Sequence, residues 1–205
     1  EMLEMASLGA KVLHSRCVEI AKKYGVELLV CSSLNRNSGT MVREKTKMEK
    51  MLISGVAADT NVAKIRVAGL DNDPESTFRL LNLLDRNNLN IDVMIQSLGK
   101  DGTKSVSFTV AKPDMLRTID VLNDNKDLLG IKKLDYDENV AKISVIGAGV
   151  RSHSGVAAKM FGALANAGIN TEMVTTSEIR ITALIDEAYA DQAMRAIHET
   201  FLERV

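Results

Sequence analysis

Hydrophobic and polar residues alternate along two segments of the chain that closely resemble each other. Residues 60–69 read TNVAKIRVAG and residues 138–147 read ENVAKISVIG, so that NVAKI recurs at an offset of 78 positions, from Asn61 to Asn139. This alternation, with β-branched residues, predicts a half-buried β-strand in each segment. A recurrence of this kind indicates an internal duplication, which has to be tested before a fold is assigned.

The similarity continues through the segments that follow the two strands. Residues 81–98 align with residues 161–178 at an offset of 80 positions. Apolar residues at helical spacing predict an amphipathic helix in each copy, and Asn88 and Gly168 fall where a left-handed helix C-terminus is expected. The residues expected to face the core are Phe78, Leu80, Leu81, Leu83 and Leu84 in the first copy and Val156, Met160, Phe161 and Leu164 in the second.

Each copy then continues with two more strands and a closing helix. The predicted strands are 90–97 and 104–111, then 170–177 and 178–185, and the closing helices are 113–124 and 187–202. The first copy ends in GIKKLDYD, residues 130–137, which we expect to form a fourth strand. The sequence therefore predicts an α+β protein with two ferredoxin-like βαββαβ domains in tandem, preceded by a short α/β segment.

The second copy ends at Val205, directly after its last helix, and so lacks a fourth strand of its own. Residues 51–59, MLISGVAAD, form an apolar segment just before the first copy. We expect this segment to supply the missing edge strand, which would insert the first domain into the second and leave no edge unpaired. The alternative is that residues 51–59 extend the first domain's own strand.

Composition narrows the classes of function. The chain has 205 residues, 45% of them hydrophobic and 26% charged, with a formal net charge of −1. These values predict a globular protein of one large or two small domains, with no general attraction to nucleic acid or to anionic membranes. Without a long apolar run or a leader peptide, we expect a cytoplasmic protein. Cys17 and Cys31 are expected to be reduced, partly buried thiols.

The predicted fold is used by RNA-recognition modules, metal chaperones and small-molecule sensors, so it does not specify a function. RNA recognition requires aromatic residues on the central strands, and only Phe108 meets that requirement. Metal chaperones require a CxxC loop, which this sequence lacks. The sensor class remains.

Two loops have the chemistry to bind a free amino acid. A helix N-terminus offers N–H donors to a carboxylate, and an acidic or amide side chain on a nearby strand can accept from an ammonium group. Loop 69–78, GLDNDPESTF, predicts an N-cap at Asp73 with Pro74 in the first helical position. Loop 147–156, GAGVRSHSGV, has glycines that permit tight turns and close backbone approach.

Three sequence strings resemble the C-terminal part of aspartokinases. They are MASLGAKVLHSRCVEIAKKYGVELLVCSS near the start, the paired NVAKI repeats, and the segment running from VIGAGVRSHSGVAAKMF to GINTEMVTTSEIRI. The resemblance covers essentially the whole chain. Aspartokinases phosphorylate the side chain of aspartate with ATP in the first step toward lysine, threonine and methionine, and they sense end products through two ACT domains in tandem.

The resemblance implies a domain organisation. Residues 1–42 are expected to be the end of a kinase domain, 43–50 a linker, 51–59 the donated edge strand, 60–137 the first ACT domain and 138–205 the second. We expect the chain to be a piece of a longer protein and to be inactive as a kinase by itself, because it has no glycine-rich phosphate loop with a nearby lysine. We expect no catalytic residue, metal or cofactor in this chain, since ATP and magnesium belong to the kinase domain.

The resemblance also implies a set of effector-binding residues. In the first copy they are Asn72, Asp73, Pro74, Thr77, Asn90, Ile91, Asp92 and Gln96. In the second copy we expect the residues of the corresponding loop and strand to serve, which are Ser152, His153, Ser154, Gly155, Asn170, Thr171 and Glu172. Strand alternation is expected to place Asn90, Asp92 and Gln96 on one face. Many family members have glycine where this chain has Glu75, whose charge could repel an effector carboxylate or meet the side-chain ammonium of lysine.

The expected partners follow from the same family. They are L-lysine and/or L-threonine, a second copy of the chain through the ACT domains, and a kinase catalytic domain or subunit, with no nucleic acid or membrane. An alternative is a structural dimerisation module whose effector sites have decayed, as Glu75 suggests.

Overall fold

The structure, a computed structural model, describes residues 1–10, 12–35, 38–43, 53–153 and 155–202. Within these ranges, no helix has both the length and the apolar composition needed to cross a bilayer.

The chain folds into two compact units. The inserted unit comprises Thr60–Ala141 and Asp186–Ala188, and the flanking unit comprises Glu1–Asp59, Lys142–Ile185 and Tyr189–Val205. Because the inserted unit interrupts the flanking one along the chain, the predicted insertion of the first domain into the second is confirmed, and so is the α+β fold class.

The N-terminal part of the flanking unit contains two helices and a small sheet. Its elements are α1 (Met2–Ser7), α2 (Ser15–Tyr24), β1 (Leu28–Val30) and β2 (Thr40–Val42). His14 caps α2 by accepting from the N–H of Arg16, and Gly25 ends α2 in the left-handed conformation. β1 and β2 are antiparallel, with Val30 opposite Thr40.

The inserted unit has the element order of the first repeat. Its elements are β3 (Gly55–Leu70), of which residues 60–70 belong to this unit, α3 (Pro74–Arg86), β4 (Met94–Leu98), β5 (Lys104–Ala111), α4 (Met115–Asp124), α5 (Lys126–Leu129) and the first part of β6 (Lys133–Ile146). β5 pairs antiparallel with both β3 and β4, and β6 lies next to β3. Leu80, Leu84 and Leu122 pack against Phe108 and Ile65 in one buried cluster.

The second repeat forms the rest of the flanking unit. Its elements are the end of β6, the short helix α6 (Gly149–Ser152), α7 (Gly155–Asn166), β7 (Met173–Thr176), β8 (Arg180–Asp186) and α8 (Ala190–Leu202). β7 and β8 are antiparallel, with Met173 opposite Leu184, and β8 lies next to β6. Met160, Leu164 and Ile197 are fully buried, as the apolar faces of the two helices require.

Two long strands replace the separate strands that the repeat predicts. β3 runs without interruption from Gly55, and residues 55–59 are part of the flanking unit. The N–H of Ser54 donates to the carbonyl oxygen of Ile146 at 2.7 Å, so this segment runs beside the end of β6. The predicted strands 130–137 and 138–147 are likewise merged into β6. No glycine or proline lies at either junction to stop the strand.

The predicted closing helices, 113–124 and 187–202, are confirmed. Each begins as a 3-10 turn, at Lys112–Asp114 and Glu187–Tyr189, and becomes α-helical at Met115 and Ala190. One expectation about the core was wrong. Phe78, predicted to face the core, is 65% exposed. Ser76 is buried on that face of α3 instead, because it lies one helical turn before Leu80.

Two other expectations concern single residues. Asn88 has φ of 53° and Gly168 has φ of 71°, so both predicted left-handed positions are confirmed. Cys17 and Cys31 are free thiols but are exposed rather than partly buried.

A buried ion pair is expected to stabilise the flanking unit, and this can be tested by mutation. Lys142 Nζ lies 3.1 Å from Asp59 Oδ2, and the two side chains are 7% and 21% exposed. The change Lys142→Met removes the ammonium group and leaves a largely buried carboxylate. We expect the free energy of unfolding to fall by about 3 kcal/mol, as measured by urea denaturation.

The double variant Asp59→Asn/Lys142→Met is the control, because it leaves neither charge buried. We expect it to recover more than half of the loss. A single variant as stable as the wild type would show that the pair does not stabilise this unit.

Candidate functional site

The side chain of Asp73 caps the N-terminus of α3. Its Oδ1 accepts from the N–H of Glu75 at 2.8 Å and from the N–H of Ser76 at 2.6 Å. Pro74 has no N–H to offer. The N-cap predicted at Asp73 is therefore present, and it uses the N–H donors that an effector carboxylate would need.

Lys104 contacts the same N-terminus of α3. This residue was not identified from the sequence. The side chain enters from the first residue of β5 and is 9% exposed. Its ammonium donates to the backbone carbonyl oxygen of Asp73 and lies 3.4 Å from Ser76 Oγ. A signal was available, because Lys104 shares the inward register of Val106 and Phe108, where a lysine is unexpected.

Two predicted effector residues come together between α3 and β4. Thr77 Oγ1 donates to Gln96 Oε1 at 2.7 Å. This bond joins the first turn of the helix to the second strand of the repeat. The two elements therefore lie close enough for one small ligand to contact both.

Glu75 is directed along the helix rather than across its start. Its carboxylate accepts from the Arg79 guanidinium at 2.5 Å, one turn further on. This hydrogen bond, with the charge of Glu75, raises the pKa of Arg79. An effector ammonium group that binds the Glu75 carboxylate would therefore have to compete with Arg79.

Asn90, Ile91 and Asp92 precede the strand rather than belonging to it. β4 begins at Met94, so strand alternation does not relate Asn90 and Asp92 to Gln96, and that expectation was wrong. The chain is held here by the Asp92 N–H, which donates to Thr109 O at 3.1 Å. Asn90 and Asp92 are exposed, and the partly buried Ile91 packs against the core.

The second repeat holds its acidic residue in the same way. The N–H of Glu172 donates to Leu184 O at 2.8 Å, just before β7. Asn170, Thr171 and Glu172 are all exposed. The two repeats thus place Asp92 and Glu172 at equivalent backbone positions.

The loop that opens the second repeat's helix is organised differently. The N–H of Gly147 donates to Ile179 O at 2.9 Å, and the N–H of His153 donates to Gly149 O at 3.0 Å. His153 is exposed, Ser152 is the last residue of α6, and Ser154 lies outside the described residues.

Gly155, the first residue of α7, faces open space. A Cβ added there would meet no atom within 4 Å. A backbone segment was expected from the sequence to approach this glycine closely, but no described part of the protein does so.

Helix α1 contacts this second loop. Glu1 Oε1 accepts from the N–H of Ala148 at 3.0 Å, and Glu4 Oε2 lies 3.3 Å from Arg180 Nη1. Gly9, with φ of 95°, approaches the Ala58 carbonyl too closely for any side chain. Residues 1–10 are thereby held against the second repeat within the flanking unit.

A cavity of about 680 Å³ lies in the N-terminal part of the flanking unit. Its walls come from α1, α2, β1 and the end of β2, and none of the predicted effector residues lines it. Among the described side chains, no three His, Cys, Asp or Glu groups are arranged to hold a metal ion. Glu1, which lines this cavity, is also the residue that contacts the second loop at Ala148.

Comparison with known proteins gives a consistent result. An ACT domain family model matches residues 143–201. The aspartokinase of Pseudomonas aeruginosa is 40% identical over 204 residues, which is 98% of this chain and 50% of that protein. The chain therefore spans about half the length of the curated relatives it matches.

Solved structures match the same region. The aspartokinase alpha and beta subunits include a chain that is 40% identical, with a TM-score of 0.69, covering 73% of this chain and 98% of that one. The ligand-free regulatory subunit of aspartate kinase from Thermus thermophilus is 32% identical, with a TM-score of 0.69, covering 73% and 99%. Because the match takes in nearly all of both solved chains, the chain belongs to the aspartokinase family, and it spans the regulatory region with tandem ACT domains.

Proposed function

We propose that this chain senses an end-product amino acid, L-lysine and/or L-threonine, for feedback control of aspartate phosphorylation. The observation that carries the proposal is the hydrogen bond between Thr77 and Gln96, which brings a helix start and a second strand within reach of one small ligand. Membership in the aspartokinase family supports the same conclusion.

The proposed chemistry uses one group for each charge of the amino acid. N–H donors at a helix start, where the helix dipole is positive, receive the carboxylate. An acidic side chain at the start of the second strand receives the ammonium group, and Asp92 and Glu172 are held there by matching backbone bonds. In the second repeat, an added Cβ at Gly155 would meet no atom within 4 Å, which supports the start of α7 as the ligand's place.

Binding would control the kinase by shifting an equilibrium. An effector that binds one domain arrangement more tightly favours it in proportion to the difference in affinity. The contacts of Glu1 and Glu4 with the second loop and with β8 offer a route from that loop to residues 1–42. The responding partners are a kinase catalytic domain or subunit and a second copy of this chain.

A structural dimerisation module is the second candidate, and one observation favours it. The N–H donors at the start of α3 are already occupied by Asp73. If the second loop were equally closed to ligands, the chain would hold an assembly together without sensing.

Calorimetric titration with L-lysine and L-threonine, separately and together, distinguishes the two candidates. We expect saturable heat with at least one amino acid. The change Gly155→Ala should leave the fold intact, because the new methyl group meets open space, but should weaken binding at least tenfold by filling the ligand's place, equivalent to about 1.4 kcal/mol.

Gly162→Ala is the matched control, since Gly162 also lies on α7 with nothing within 4 Å of an added Cβ. We expect it to bind as the wild type does. Absence of heat from every titration of the wild type would remove the sensing function, and equal affinities for the two alanine variants would remove Gly155 from the site.

The chain by itself should not transfer phosphate. Its sequence has no glycine-rich loop with a nearby lysine to hold ATP phosphates. A coupled assay with ATP, magnesium and L-aspartate should give no turnover above a blank without protein. Turnover that persists after further purification would contradict this expectation.

A further inference from the structure

We propose that helix α1 is the element that couples the second loop to α2, and that Glu1 and Glu4 hold it to the loop. This inference deepens the proposed amino-acid sensing and rests on it, because it names how a change at the second loop reaches residues 1–42. All the residues that carry it belong to the flanking unit.

Helix α1 is too short to be stable by itself. It has six residues, Met2–Ser7, and each of them stays at least partly exposed. An isolated helix shorter than about 12 residues is marginal in water, because forming its first turn fixes several residues for a single hydrogen bond. The helical form of α1 therefore depends on its contacts with other elements.

Two carboxylates at the start of α1 contact the second repeat. Glu1 Oε1 accepts from the N–H of Ala148 at 3.0 Å, and Glu4 Oε2 lies 3.3 Å from Arg180 Nη1. Residues three apart are neighbours on a helix, so one position of α1 makes both contacts. The Glu4 and Arg180 side chains are 34% and 22% exposed, so solvent screens this pair only in part.

Both contacts act on the same short stretch of the second loop. Arg180 is the first residue of β8, and the residue before it, Ile179, accepts at its carbonyl oxygen from the N–H of Gly147 at 2.9 Å. The next N–H along the loop, that of Ala148, donates to Glu1. The beginning of the loop is thus held by α1 and by the start of β8, which the Glu4 ion pair joins to each other.

Apolar contacts place the end of α1 at the root of the same loop. Met5 and Leu8 pack in one cluster with Ala57 of β3 and Ile146 of β6. The fit is close, because a Cβ added to Gly55 would lie 2.7 Å from Met5 Sδ. Since Ile146 directly precedes the loop, a displacement of α1 removes packing where the loop begins.

Helix α1 also contacts α2, the helix next along the chain. Helix α2 has caps of its own at His14 and Gly25. Coupling between two places in a protein requires an element whose equilibrium both of them bias. A marginal helix that touches both the second loop and α2 meets that requirement, because elements of low local stability are the ones that move.

The coupling can be tested without a ligand, by hydrogen exchange at the Ala148 amide followed by NMR of the full chain. The change Glu4→Ala removes the contact with Arg180 and leaves the Glu1 side chain that Ala148 contacts. We expect release of α1 to speed exchange at Ala148 by about threefold, as loss of a partly exposed ion pair allows. Glu19→Ala is the matched control, since it removes an exposed carboxylate from α2, and it should exchange as the wild type does.

A second variant tests whether Glu4 acts through Arg180. Arg180→Met should speed exchange at Ala148 as Glu4→Ala does. The double variant should exchange no faster than either single variant, because each single change already removes the same ion pair.

The amino acids of the proposed function provide the last part of the test. In the wild type, L-lysine or L-threonine bound at the second loop should slow exchange at Leu8 as well as at Ala148. The N–H of Leu8 donates to the Glu4 carbonyl oxygen at 3.0 Å, so its exchange reports the opening of α1. A ligand that favours the docked helix slows that opening by mass action.

Four results would overturn the inference. They are unchanged exchange at Ala148 in Glu4→Ala, an equal change in Glu19→Ala, effects of Glu4→Ala and Arg180→Met that simply add, or an amino acid that slows exchange at Ala148 and not at Leu8. A wild type that binds no amino acid at this loop would count against sensing there, while the ligand-free comparison would still decide whether α1 and the loop are coupled.

Discussion

Continuous strand pairing through β3 and β6 is the constraint on which the rest of the structure depends. Each strand supplies residues to both compact units. The inserted unit takes its four strands from Thr60–Ala141, whereas the flanking unit also includes residues 55–59 at the start of β3. The bond from Ser54 to Ile146 joins the residues just before β3 to the end of β6 within the flanking unit. Insertion of one domain into the other follows from this sharing, because the shared strands must enter and leave both units.

The two repeats share their backbone arrangement at the start of the second strand and differ in the loops that open their helices. Asp92 and Glu172 are anchored by matching hydrogen bonds, to Thr109 and Leu184. The N–H groups at the start of α3 are capped by Asp73, whose carbonyl oxygen accepts from Lys104, whereas the loop before α7 contains the short helix α6. A duplicated unit can thus diverge in its loops while strand pairing maintains its fold.

The sequence predicts what depends on local pattern and misses what depends on distant contacts. The NVAKI repeat indicated two equivalent units, and Asp73, Asn88 and Gly168 were assigned correctly because capping and left-handed turns are local. The merging of strands at residues 59–60 was given only as the alternative, that residues 51–59 extend the first domain's strand, since pairing partners far along the chain decide where a strand ends. Lys104 was missed because its acceptors lie on another element, and the docking of Glu1 on Ala148 depends on tertiary contacts alone.

The central claim is the proposal that this chain binds an effector amino acid at the loop that opens the first helix of a repeat. The most direct measurement is a crystal structure of the chain grown with L-lysine and L-threonine. The account predicts amino-acid density at the start of α3, beside Thr77 and Gln96, or at the start of α7, beside Gly155. A structure with no amino-acid density at either loop would contradict it.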